Sequence, residues 1–89
     1  MAKLFVHHKV ADYAQWREVF DSQTPMRTSY GMTGQSVMQA AGDTNDVVII
    51  TEWKTLDQAR AYGASPDLKH GMQKVGVISQ PDVLFLEEA

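Results

Sequence analysis

Residues 3–9, KLFVHHK, alternate along the chain and read as a first strand, with Leu4, Val6 and His8 on one side and Phe5 and His7 on the other. From Asp12 the period becomes helical, and Tyr13, Trp16, Val19, Phe20 and Gln23 share one side. The Asp12 carboxylate suits the free N–H groups of a first turn, and Gln15 follows at the spacing of a capping box. Pro25 is expected to break or kink this helix, because proline has no N–H for the preceding turn. A last helical piece is expected over Arg27 to Tyr30, stopped by Gly31.

Thr33 to Ala41 reads as a second strand, with Gln35, Val37 and Gln39 on one face and Ser36, Met38 and Ala40 on the other. The run AGDTND has the chemistry of a hairpin loop. Asp46 to Lys54 is the strongest strand, since VVII is β-branched and apolar on both faces. Thr55 and Gln58 repeat the helix-start signal, and Ser65-Pro66 begins another helical piece with Leu68, Met72 and Val75 at i, i+4 and i+7. Pro81 introduces a final strand, Asp82 to Glu88.

The order β-α-β-β-α-β predicts an α+β, ferredoxin-like fold with a four-stranded antiparallel sheet and both helices on one face. The VVII strand leaves the other face apolar too. A second sheet should cover it, which predicts a homodimer.

Composition narrows the partners. A chain of 89 residues is expected to form a single domain over residues 1–89. So short a chain leaves a modest core, which an oligomer interface commonly supplements. The net charge of −3 arises from scattered acidic and basic residues without a basic stripe, so neither nucleic acid nor an anionic membrane is an expected partner. There is no cysteine, which removes disulfides, thiolate nucleophiles and thiolate metal sites. No apolar run approaches the ~20 residues of a membrane-spanning helix. A soluble, cytoplasmic protein is the expectation.

With these elements in place, HKVADYAQW after the first strand, VVIITEW in the central one and ASPDLKHGMQKVGV resemble the dimeric α/β barrel superfamily over nearly the whole chain. Within it they are most similar to the antibiotic biosynthesis monooxygenase-like proteins. The resemblance implies a small-molecule pocket between the sheet and the helices, lined by His8, Trp16, Phe20, Arg27 and Trp53. It favours His8 over His7 as the histidine that faces the helices. It also implies a candidate chemistry: cofactor-independent oxygenation of an aromatic or phenolic compound, with His8 or Arg27 assisting deprotonation and Trp16, Phe20 and Trp53 holding the ring. A non-catalytic ligand-binding or stress-associated dimer is the competing expectation, because the superfamily hosts several unrelated activities.

The residues themselves constrain this picture. Adjacent strand residues point to opposite faces, so His7 and His8 cannot share one metal site. A cavity-facing His8 should titrate below ~6.5 and a rim-placed His7 near it. Trp16, Phe20 and Tyr13 also have the spacing of an ordinary amphipathic core, and Arg27 could equally be a surface helix residue. No metal is expected, because the three histidines lack ligand spacing. Haem is not expected either. The haem-degrading relatives use a first-strand asparagine, whereas the sole asparagine here is Asn45, placed in the hairpin loop, and their helix histidine falls on Gly71, beside a solvent-facing His70.

Overall fold

The computed structural model describes residues 2–69, 77 and 79–89. Its elements are β1 (Ala2–Lys9), α1 (Tyr13–Ser22), α2 (Thr24–Ser29), β2 (Met32–Ala40), β3 (Asp43–Trp53), α3 (Leu56–Gly63) and β4 (Asp82–Leu86). The strands form one sheet in the order β2-β3-β1-β4, antiparallel throughout. This is the ferredoxin-like arrangement, and the long β3 lies at its centre.

Both capping boxes form as the spacing requires. Asp12 accepts the Gln15 N–H at 3.2 Å, and Thr55 accepts that of Gln58 at 3.1 Å. The α1–α2 break differs from expectation. α1 ends at Ser22, three residues before the proline, and Pro25 sits in the first turn of α2 instead of ending a helix. The proline ring would meet the carbonyl four residues back in a continuous helix, so the chain reopens at Gln23 and restarts, giving a second helix three residues earlier than Arg27. Gly31 then closes α2 at a φ of 112°, and a Cβ there would stand 2.6 Å from the Gln58 side chain. The positive φ is what favours glycine here, since the end of the Gln58 side chain can move aside.

The hairpin is tighter than AGDTND suggests. Only Ala41 and Gly42 turn, Gly42 with φ of 90°, and β3 begins at Asp43. Asn45 therefore belongs to a strand, not a loop. It ties that strand to the β1–α1 corner: its Oδ1 accepts the Tyr13 N–H at 3.0 Å, its Nδ2 donates to the Ala11 carbonyl at 3.5 Å, and its own carbonyl accepts the Val10 N–H at 2.9 Å. β4 stops at Leu86, two residues short of Glu88. Residues 66–69 are helical and Leu68 packs against the core. Met72, Val75, His70 and Gly71 lie outside the described residues.

Strand alternation sorts the sheet into two faces. Leu4, Val6 and His8 of β1 and Val47, Ile49, Thr51 and Trp53 of β3 point to the helices and are buried. Trp16 and Phe20 of α1 and Ala59 and Tyr62 of α3 close over them. The opposite face carries Phe5, Val48, Ile50, Met38, Leu84 and Leu86, of which Leu84 remains 55% exposed and Met38 46%.

Candidate functional site

The helix-side core contains an aromatic ladder. His8 meets the edge of Trp16 at 5.9 Å, Trp16 stacks on Phe20 at 4.8 Å, and the Arg27 guanidinium lies 3.9 Å from the centre of the Phe20 ring. The ladder follows from local structure. Trp16 and Phe20 are four residues apart on α1, so their rings overlap on one face. Beneath them stand Leu4, Val6 and His8, the helix-facing side of β1.

Arg27 reaches the ladder because of the break before Pro25. Where α1 gives way at Gln23, the Phe20 carbonyl accepts the Gln23 N–H at 3.1 Å and an Arg27 Nη2–H at 2.8 Å. Nη2 also donates to Thr24 Oγ1 and to Gln35 Oε1, each at 3.2 Å. The side chain is 2% exposed, so Arg27 is not the surface residue that its helix position allowed. The helix restart in effect turns a surface arginine inward.

A cavity of about 50 Å³ opens among these groups. Its described lining includes His8, Trp16, Phe20, Arg27, Thr51 and Tyr62. Two of these residues each carry a buried polar atom, His8 Nδ1 and Arg27 Nε, with no hydrogen-bond partner among the described residues. Buried polar groups are normally satisfied, so two such atoms on residues that line one cavity are a feature to explain.

The electrostatics of the wall are set by burial. Desolvation pushes the His8 imidazole below its ordinary value, against a backbone hydrogen bond and with a smaller push from the adjacent His7 charge. His8 is therefore a neutral ring at neutral pH, with a nitrogen able to accept or donate a proton. Burial lowers Arg27 and raises Tyr62, and the guanidinium and the phenol each hold the other toward its charged form.

Of the residues expected to line a pocket, His8, Trp16, Phe20 and Arg27 meet at the cavity. Trp53 does not. It is fully buried, stacks on Tyr62 at 5.0 Å and donates its indole N–H to Thr51 Oγ1 at 2.8 Å. Thr51 and Tyr62, its two partners, line the cavity in its place. Tyr62, Thr51 and Gln35 were not singled out from the sequence. Tyr62 had a usable signal, being the large residue on the buried side of a short helix seven residues after its cap. Gln35, which orients Arg27 across eight residues, had none.

His7 lies on the far face between two carboxylates, its Nε2 at 2.6 Å from Asp46 and its Nδ1 at 3.4 Å from Asp82. The hydrogen bond to Asp46 holds it above the ordinary imidazole value despite some desolvation, and Asp82 adds to the rise. That corrects the expectation of a nearly unperturbed rim histidine. The cross-strand register places Asp82 directly opposite His7, a pairing invisible until β4 is aligned. Among the described residues no three histidine or carboxylate side chains converge on one point as metal ligands would.

With this geometry in hand, solved structures give close matches over the full chain. A protein from Bordetella bronchiseptica, provisionally named an antibiotic biosynthesis monooxygenase, aligns with a TM-score of 0.82 at 14% identity, over 99% of this chain and 96% of that one. The chain has the antibiotic biosynthesis monooxygenase fold. SnoaB, a cofactor-independent oxygenase from Streptomyces nogalater, shares that fold at a TM-score of 0.74 and 15% identity, over 99% of this chain and 94% of its own. A conserved protein from Methanosarcina mazei Go1 does so at 0.78 and 11%, over 99% and 92%. No model of a known protein family matches the sequence, and no curated protein does. At these identities the antibiotic biosynthesis monooxygenase fold is common property, while activity belongs to each protein's own cavity.

Proposed function

We propose that this chain is a small-molecule-binding protein that acts, without a cofactor, as a monooxygenase on an electron-rich phenolic or quinol-type ring. The observation that carries the reading is the pairing of a neutral, buried histidine with a buried arginine across one aromatic-lined cavity. In such chemistry the substrate is its own reductant. His8 accepts a proton from the substrate, and Arg27 favours the resulting anion. The carbanion form of a ring methylene passes electrons to dioxygen; one oxygen atom ends in a new ring carbonyl and the other leaves as water with the two hydrogens of the methylene. The fold of SnoaB, a named cofactor-independent oxygenase, is consistent with that route.

The test is oxygen uptake with a simple anthrone as probe, compared between the wild type and His8→Ala. Enzyme-dependent uptake of one dioxygen per ring oxidised, lost in the variant, supports the reading. Uptake no faster than in buffer overturns it.

A second reading is favoured by the size of the cavity. Dry cavities that hold a benzene ring are about 150 Å³, and this one is about 50 Å³. A ring can enter only if mouth side chains such as Gln23 and Leu68 move aside. Tight binding of a ring with no oxygen uptake would assign a non-catalytic binding role.

The functional unit in this proposal is a homodimer joined through the sheets. Phe5, Ile50 and Leu84 form a cross-strand row on the far face, flanked by Val48, Met38 and Leu86. So wide an apolar surface needs a cover, and the Lys3–Glu52 pair at 3.6 Å bounds it at one end. Light scattering at micromolar concentration should give twice the chain mass.

A further inference from the structure

We propose that the cavity selects a ligand that carries an anionic oxygen, a small planar carboxylate or phenolate, with Arg27 as its counter-ion. This rests on the ligand-binding reading above and specifies the charge class of the ligand. Arg27 is 2% exposed, yet its hydrogen-bond acceptors are neutral, the Phe20 carbonyl, the Thr24 hydroxyl and the Gln35 amide oxygen, and burial keeps the nearby Tyr62 phenol neutral as well. No carboxylate lies within ion-pair distance of it among the described residues. Residues 70–76 and 78 contain neither aspartate nor glutamate, so they hold no carboxylate side chain to offer it. The carboxylate that acts on it, more weakly than the Tyr62 phenol does, is Asp21, which is already bonded through both oxygens to Arg17 at 3.0 and 3.2 Å.

A buried cation without an ion partner is costly unless something compensates it. The Phe20 ring contributes a cation–π contact. The remaining deficit is concentrated at Nε, a buried donor with no partner among the described residues, on a side chain that lines the cavity. Three acceptors sharing the two Nη2 hydrogens hold the guanidinium in place, so Nε needs no further ordering to meet a ligand. An anionic oxygen would satisfy that donor and the charge together, in a charge-assisted bond about twice as strong as a neutral one. The stacked Trp16 and Phe20 rings give such an anion a flat apolar wall, and His8, neutral at the far end of the ladder, does not compete for it. The arrangement selects for a charged head on a flat body, and against the neutral isostere.

Isothermal calorimetry of the wild-type protein at pH 8 tests this, using benzoate against benzamide and 4-nitrophenolate against 4-nitroanisole. Each anion should bind about tenfold or more tightly than its neutral partner, as charged hydrogen bonds to a buried site dictate. Arg27→Met should erase the difference, and Arg27→Lys should keep part of it, since lysine offers charge without the fork. The wild-type comparison needs no variant, so a poorly folding Arg27→Met does not weaken the test. Equal affinity within each pair overturns the inference and leaves the aromatic cavity standing. Failure of all four probes to bind at millimolar concentration overturns both.

Discussion

The two faces of the sheet carry adjacent histidines to opposite fates. On the helix side His8 lies 4% exposed against Trp16, without a counter-charge, and stays neutral. One residue earlier, on the open side, His7 sits between Asp46 and Asp82 and favours its proton. Pleating alone separates them. The helix side has buried its apolar surface in an interior that keeps the His8 imidazole neutral. The other side still exposes its apolar row and neutralises its polar groups in pairs. A period of two thus gives the cavity to one face and the exposed apolar row to the other.

The largest expected effect breaks the assembly face. Leu84→Glu places a charge on a side chain that is 55% exposed in the single chain but buried in the proposed dimer. Burying that charge should weaken dimerisation by at least ~100-fold, about 2.7 kcal/mol. Sedimentation would then show folded monomers, and an unchanged dimer would show that the sheets do not meet. Next in size is the core of the other face. Trp16→Ala should cost about 3–5 kcal/mol in urea denaturation. Phe5→Ala, measured in the monomeric Leu84→Glu background, should cost less than half of that. Similar costs would mean that the two faces are not packed differently.

A smaller effect sharpens the contrast through pH. His7, with its value raised in the fold, binds its proton more tightly folded than unfolded. Its contribution is complete below ~6.5 and fades as pH rises through the raised value. His8, with its value lowered, contributes fully above ~6.5 and loses that contribution as pH falls toward its folded value. The urea midpoint of His8→Gln should therefore fall less on acidification than that of the wild type. His7→Gln should fall more. Proton NMR of the two imidazoles gives the direct check: His7 titrating below His8 would refute the assignment of faces.

Much of this was legible in the sequence, for reasons that are local. The alternation in KLFVHHK separates the histidines, and Asp12 with Gln15 and Thr55 with Gln58 mark both helix starts, because a cap acts over three residues. The two-sided VVII fixes the central strand. What escaped depends on distance along the chain. The inward turn of Arg27 requires the Phe20 carbonyl freed by the helix break and an amide from β2. The removal of Trp53 from the cavity requires Tyr62 and Thr51, which take its faces and its N–H. The rise in His7 requires β4 to bring Asp82 across. The break itself was anticipated at Pro25 but lies upstream of it, since a proline forbids the turn before it and not the one it opens.

Asn45 adds a constraint on the order of events during folding. The β1–α1 corner takes its bonds from a residue more than thirty positions downstream, so a chain emerging only as far as Ala40 can form α1 but cannot anchor its first turn. Closing that span carries a loop entropy that grows only slowly with length, yet it must be met before the bonds return anything. The β2–β3 hairpin, closed by its two-residue turn, is the local unit that can form first. The pairing of β3 beside β1 is what brings Asn45 to the corner, next to the α1 turn that carries the aromatic ladder.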